Sequence, residues 1–290
     1  MINVLEAELL KVRTRWMPYV LFLMMVGGAA VNMWLAGYLE WKQDPSAEFS
    51  GQAYRTFVFP YSIAVLLDSG QFWGSAIFVG ILTSSCVSTE YNWGTVRQVL
   101  VRGQSRAGYL AVKIAALAIL CAAFLLAALA VGLFFSVWAT SLADAPITLD
   151  VRDGPSLPEI GLMIFRAALG ILPYGLLAFM LSTVGRSTAL GIGGTFGYII
   201  AEGIGVAILQ GIGGLAADLS DVALGRHAAG LVAANRIGSG EYNSMAFREF
   251  ADPAKLPDPN VGALVILLYC LVFLAITFTV FLRRDIRVHQ

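Results

Sequence analysis

The residues best placed to do chemistry in this 290-residue chain lie in a polar, basic stretch, 90–113, between two long apolar runs. The chemistry they offer is ionic. Arg97, Arg102, Arg106 and Lys113 are four of the 19 Lys and Arg. Gly94 and Gly103 bracket residues 95–102, eight positions with no helix breaker. At 1.5 Å per residue they make a helix of roughly 12 Å. Thr95 suits its start, Gly103 suits the left-handed residue after its end, and Ser105 suits the cap of the next helix. A short, bounded helix is a docking surface for another protein, and Thr95, Val96, Arg97, Leu100 and Arg102 are its candidate contacts. The two arginines would meet acids on that partner, or else hold lipid phosphate. Glu90 could bond to Arg13 or Arg15 and so tie the N-terminal segment to this loop.

Two more charges, Arg166 and Glu202, fall inside apolar runs, where an ionisable residue is a functional candidate by default. Each lies roughly 10 Å below the same boundary of its run at 1.5 Å per residue. They are expected to pair or to face a common aqueous vestibule, with outward snorkelling as the plainer alternative. Covalent chemistry has no visible machinery. Cys86, Cys121 and Cys270 all sit in apolar segments without disulfide or metal spacing, and His227 and His289 are isolated. No Gly-rich phosphate loop, metal-binding motif or nucleophile motif occurs, so the sequence offers no case for ATP or a metal in this chain. Basic residues cluster only beside apolar runs, which argues against nucleic acid.

The elements that must hold these residues are membrane helices. Hydrophobic residues are 58% and charged ones 13%, against about 45–50% and about 25% in soluble domains. Six runs approach the ~20 apolar residues of a membrane span: 17–39, 70–89, 109–142, 160–184, 187–209 and 261–282. All are read as helices, because a span must satisfy its own backbone. The expected fold is one all-α transmembrane domain over 1–290. The 90–108 loop carries the docking helix, and residues 1–16 form an amphipathic helix on the membrane surface, with Ile2, Leu5, Leu9, Val12 and Trp16 as its apolar stripe. The long apolar run that follows does not read as a cleaved signal peptide.

Zero net charge conceals an asymmetry. With both termini in the cytosol, 11 basic residues face four acids inside, and eight basic residues face 14 acids outside. That is the orientation favoured by the positive-inside rule. In the fifth run Gly193, Gly197, Ala201 and Gly205 recur every four residues, a small-residue stripe for close helix packing or a dimer contact. The outer segment 210–260 should hold a helix around Leu215, Leu219 and Val222, broken at Gly225 or Gly230. Tyr54, Phe57, Phe59 and Tyr61 are expected on the membrane surface, and Asp68 and Ser69 as caps of the second span.

The pattern Glu90-Tyr91-x-x-Gly94-Thr95-x-Arg97-x-x-Leu100-x-x-Gly103-x-Ser105-Arg106, then Tyr109-Leu110 and Lys113, resembles the signature loop of type 2 ABC exporter permeases. These are membrane subunits of bacterial ATP-driven exporters, found in the cytoplasmic membrane. The resemblance implies that residues 95–102 are a coupling helix docked on a separate ATPase subunit. It also implies two copies of that subunit, with ATP and Mg bound there, and a second permease, identical or homologous. The expected function is therefore export through a path formed by a dimer, without enzymatic activity in this chain. The apolar spans lean towards an amphipathic cargo. A proton-coupled secondary transporter using Glu202, and a structural or sensory membrane subunit, stay open as alternatives.

Overall fold

The computed structural model describes residues 2–43, 54, 57–69, 76–101, 103, 105–149, 156–235 and 256–283. It is all-helical, with no strand among the described residues. In chain order the elements are α1 (Ile2–Arg13), α2 (Met17–Ala29), a π-helical stretch (Ala30–Tyr38), α3 (Leu39–Gln43), α4 (Ser62–Ser69), α5 (Ala76–Asn92) and α6 (Thr95–Val101). Then follow α7 (Arg106–Leu142), α8 (Leu157–Gly185), α9 (Thr188–Ile212), α10 (Leu215–Ser220), α11 (Leu224–Ala233) and α12 (Pro259–Arg283).

Four helices, α7, α8, α9 and α12, are long and apolar enough to cross a membrane. Even the 25 residues of α9 or α12 reach about 37 Å, more than the ~30 Å hydrocarbon core. They fall where the last four apolar runs were expected. The first run is α2 continued by the π-helical stretch, in which Trp34 stacks on Trp138 of α7 at 5.5 Å. The second is α5, 17 residues long, and positions 70–75 lie outside the described residues. Asp68 and Ser69, expected as its caps, are the last two residues of α4, because the apolar run from Ser62 to Leu67 is itself helical.

α8 lies at the centre, packed on α5, α9, α11 and α12. Val79, Ile171, Phe179, Leu224 and Ile266 meet there, all buried. Burying such side chains is worth about 1.5–3 kcal/mol each in water, but in lipid close packing matters more. Small residues supply it. A Cβ on Gly191 of α9 would stand 2.0 Å from Ser182 Oγ on α8 and 2.6 Å from Ser84 Oγ on α5.

Local signals set the helix ends. Ser105 caps α7 by accepting from Gly108 N at 3.1 Å. Ser156 and Glu159 form a capping box on α8. Ser187 caps α9 immediately after Arg186, which takes the left-handed conformation. The aromatic segment before α4 departs from expectation. Phe57 is fully buried, ringed by Tyr38, Trp41 and Tyr54, rather than lying on the membrane surface. Its carbonyl accepts from Ser136 Oγ of α7 at 2.7 Å, and this anchor draws the ring inward.

The chain after α9 also differs from expectation. It reverses at Gly213 and Gly214, both with positive φ, and turns again at 221–223 between α10 and α11. Gly225 and Gly230 break nothing; both lie inside α11, whose ten residues are all buried. They are there for close approach: a Cβ on Gly225 would be 2.9 Å from the Glu202 carboxylate, and one on Gly230 would be 2.5 Å from the Pro257 carbonyl. α11 runs antiparallel to α12. Gly230 meets Pro257, Gly262 meets His227, and Tyr269 donates to the Val222 carbonyl at 2.9 Å. α11 thus re-enters the bundle beside α12, while α10 packs on α9.

Candidate functional site

At the end of the bundle where α5 stops and α7 starts, α6 stands between two left-handed glycines, Gly94 (φ 66°) and Gly103 (φ 91°). A residue with Cβ would be strained at either position. The Thr95 hydroxyl donates to the Glu90 carbonyl at 3.3 Å, which fastens α6 to the last turn of α5. Val96, expected among the docking contacts, is instead turned into the core and only 3% exposed. Leu100 is half-buried against that core. The outward face consists of Arg97, Gln98 and Val101. Arg102 lies outside the described residues.

Beneath α6 lies a cluster that joins three helices. Lys11 of α1 reaches Glu8 at 2.7 Å and Glu90 of α5 at 2.8 Å. Lys113 of α7 reaches Glu90 at 2.6 Å and also pairs with Glu8. Tyr109 donates its hydroxyl to the second oxygen of Glu90. Two acids and two bases thus form a neutral ring, in which Glu8, Glu90 and Lys113 are buried. Burial works against the charge on Lys11, but the hydrogen bonds and charges of Glu8 and Glu90 outweigh it and raise its pKa above the ordinary 10.5. The Tyr109 ring stacks on Phe281 of α12 at 5.5 Å, and Arg106 donates to the Leu282 carbonyl at 3.0 Å. The base of α6 is therefore linked to α1, α5, α7 and the last turn of α12.

The sequence placed Glu90 opposite Arg13 or Arg15. The link from the N-terminal helix exists, but through Lys11. Arg15 instead donates to the Ser85 carbonyl at 3.0 Å and lies over the Trp93 ring at 5.8 Å. Glu8 was not foreseen as a site residue, and Tyr109 and Lys113 were noted in the loop but given no partner. The available signal was Lys113, which stands seven residues into an apolar helix and needed an acid. Glu8 is the nearest turn-mate of Lys11. It is also why the stripe Leu5, Leu9 and Val12 is only half-buried: α1 packs on α7 through its charges.

At the opposite end, Arg166 and Glu202 do not pair. Glu202 Oε1 on α9 accepts from the Gly225 amide and from Tyr198 Oη, each at 3.0 Å. Arg166 on α8 donates to the Ala234 carbonyl at 3.0 Å and to Asn235 Oδ1 at 3.4 Å. The acid thus caps the N-terminus of α11 and the base caps its C-terminus. Each charge stabilises its end of the helix dipole. The pairing failed because a better partner existed for each: the unsatisfied backbone groups of a buried helix.

The small-residue stripe of α9 has no packing partner among the described residues. Gly193, Gly197 and Ala201 are exposed, and no described residue lies within 4 Å of a Cβ built at Gly193, Gly197 or Gly205. The face of α9 packed inside the chain carries Gly191 and Thr195. Among the described residues, no three His, Cys, Asp or Glu side chains come together as a metal set.

No curated protein matches this chain. A family model described as "Protein of unknown function (DUF2705)" matches residues 49–224, from the segment before α4 to the first residue of α11. The match includes α6, both charged caps of α11, and Glu90 and Lys113 of the buried charge ring, but not Glu8 and Lys11. Covering more than half of the 290 residues, it shows that the chain belongs to the DUF2705 family.

Proposed function

We propose that this chain is the permease subunit of an ATP-driven exporter of the type 2 ABC class, in the bacterial cytoplasmic membrane. In this reading α2 with its π-helical extension, α5, α7, α8, α9 and α12 are six spans, and both termini are cytosolic. α6 is the coupling helix and docks on a separate ATPase subunit, which binds ATP and Mg. Two permeases enclose the path.

One observation carries the reading: α6 lies between two left-handed glycines, faces outward with Arg97, and is fastened through Thr95 to Glu90, a member of a buried charge ring that joins three helices. A push on such a helix moves α1, α5 and α7 together, which is what coupling an ATPase to a transport path requires. A proton-relay reading of Glu202 has less support, because that carboxylate is engaged at the α11 terminus. The test is gentle purification of the chain from its native membrane. A stoichiometric ATPase subunit, lost with Arg97→Glu, is the expected result. A chain that purifies alone and moves solute in response to a proton gradient would overturn the proposal.

A further inference from the structure

A groove of about 790 Å³ lies between α12 and α11 with the turn that precedes it. Small-molecule sites span roughly 300–1,000 Å³. One wall is apolar: Val261, Val265, Leu268 and Val272 follow each other along one face of α12 at spacings of four, three and four. That track is about 16 Å long at 1.5 Å per residue, enough for a single acyl chain.

The polar lining is acidic. Asp221 and Asp258 contribute, together with His227, and no Lys or Arg lines the groove among the described residues. Asp221 is the unusual one. It adjoins Val222, whose carbonyl accepts from Tyr269, ten residues into α12. The Tyr269 Cα therefore stands about 15 Å along α12, half of the ~30 Å hydrocarbon thickness, and its side chain leans back towards the helix start. Asp221 thus lies at membrane depth, short of the midplane, yet its side chain is 56% exposed. One oxygen pairs with Arg226 at 3.1 Å, and a carboxylate carries a second acceptor oxygen. His227 adds a buried Nδ1 with no hydrogen-bond partner. An exposed acid at this depth calls for a polar or cationic group opposite it, within otherwise apolar walls.

We propose that the groove binds a membrane phospholipid with an ammonium headgroup. The ammonium meets Asp221, and one acyl chain lies along Val265, Leu268 and Val272. This deepens the transport reading by naming an amphiphile class. It rests on the membrane placement of that reading, but needs no ATPase.

The test uses the full chain, purified in detergent and stripped of lipid. Phosphatidylethanolamine or phosphatidylglycerol with identical acyl chains is added, and retained lipid is counted by native mass spectrometry. The expected result is one phosphatidylethanolamine per chain, preferred about tenfold, the worth of one charge-assisted hydrogen bond. Asp221→Asn should abolish the preference, and Leu268→Trp, at a lipid-facing position that tolerates bulk, should abolish retention of both lipids. Equal retention by the unaltered chain, or a preference that survives Asp221→Asn, overturns the proposal. Copurification of an ATPase can fail while this binding holds, and the reverse, so the two readings fail separately.

Discussion

Arg166 and Glu202 sit at opposite ends of α11, the base at its C-terminus and the acid at its N-terminus. Two charges that are costly in a membrane interior thereby become the caps of one buried helix. The ten residues of α11 set the two sites about 15 Å apart, too far to couple directly. Glu202→Gln and Arg166→Met should each destabilise the protein by about 1–2 kcal/mol, the range of a lost cap or of a partly buried charge at a helix terminus. The double variant should equal the sum within about 0.5 kcal/mol. Thermal unfolding in detergent measures this. A double variant more stable than Glu202→Gln alone would mean that the two charges compensate each other directly.

The ring of Glu8, Lys11, Glu90 and Lys113 should behave in the opposite way. Lys113→Met removes a buried cation that serves two acids, and breaking a buried pair typically costs about 3–5 kcal/mol. Adding Glu90→Gln should recover part of that loss, because it removes one of the stranded charges. Non-additivity in a double-mutant cycle is the expected outcome, and simple additivity would show that the ring is not a unit.

Much of the helical layout was legible from apolar runs, because a membrane span leaves a long compositional mark. α7, α8, α9 and α12 fall within a few residues of their expected positions. The short helix α6 was legible because Gly94 and Gly103 fix its ends. Partner choice was not legible. Lys11, rather than Arg13 or Arg15, reaches Glu90, since the phase of α1 on α7 depends on packing. Arg166 and Glu202 were singled out correctly as unusual, but the re-entrant α11 that satisfies them leaves only a short, glycine-containing trace in the sequence. Gly225 and Gly230 read as helix breakers when their role is close approach. Val96 was misassigned for a similar reason: a seven-residue helix gives too little periodicity to tell its inner face from its outer one.

The raised pKa of Lys11 sets a pH window. A base whose folded pKa exceeds its unfolded value stabilises the folded state fully below the unfolded value, and this stability is lost as pH rises through the folded one. The contacts of Lys11 should therefore hold α1 in place at neutral pH and weaken only above its ordinary 10.5. Glu159 works in the other direction. Its backbone and side-chain hydrogen bonds to Ser156 lower its pKa, so its capping is complete above 4.5 and lost as pH falls through the folded value. Hydrogen exchange should show α1 opening on the alkaline side and the first turn of α8 fraying on the acid side. Loss of α1 protection near pH 5 would contradict the assignment of Lys11.

The open stripe on α9 separates folding from association. Gly191 and Gly193 are two residues apart but face different environments: a Cβ on Gly191 collides with Ser182 and Ser84, whereas one on Gly193 meets nothing within 4 Å among the described residues. Gly191→Ala should therefore destabilise the single chain by about 1–3 kcal/mol through overpacking. Gly193→Leu and Gly197→Leu should leave its unfolding midpoint unchanged. If two permeases enclose the path and meet along this stripe, the leucine variants should instead reduce the dimer fraction, because small residues let helix backbones approach closely in lipid and a larger side chain holds them apart. Crosslinking in native membranes, read beside thermal unfolding, distinguishes the two effects. Leucine variants that dimerise like the unaltered chain would place the permease contact on another face, and a fall in the unfolding midpoint of the single chain would show that the stripe is packed internally after all.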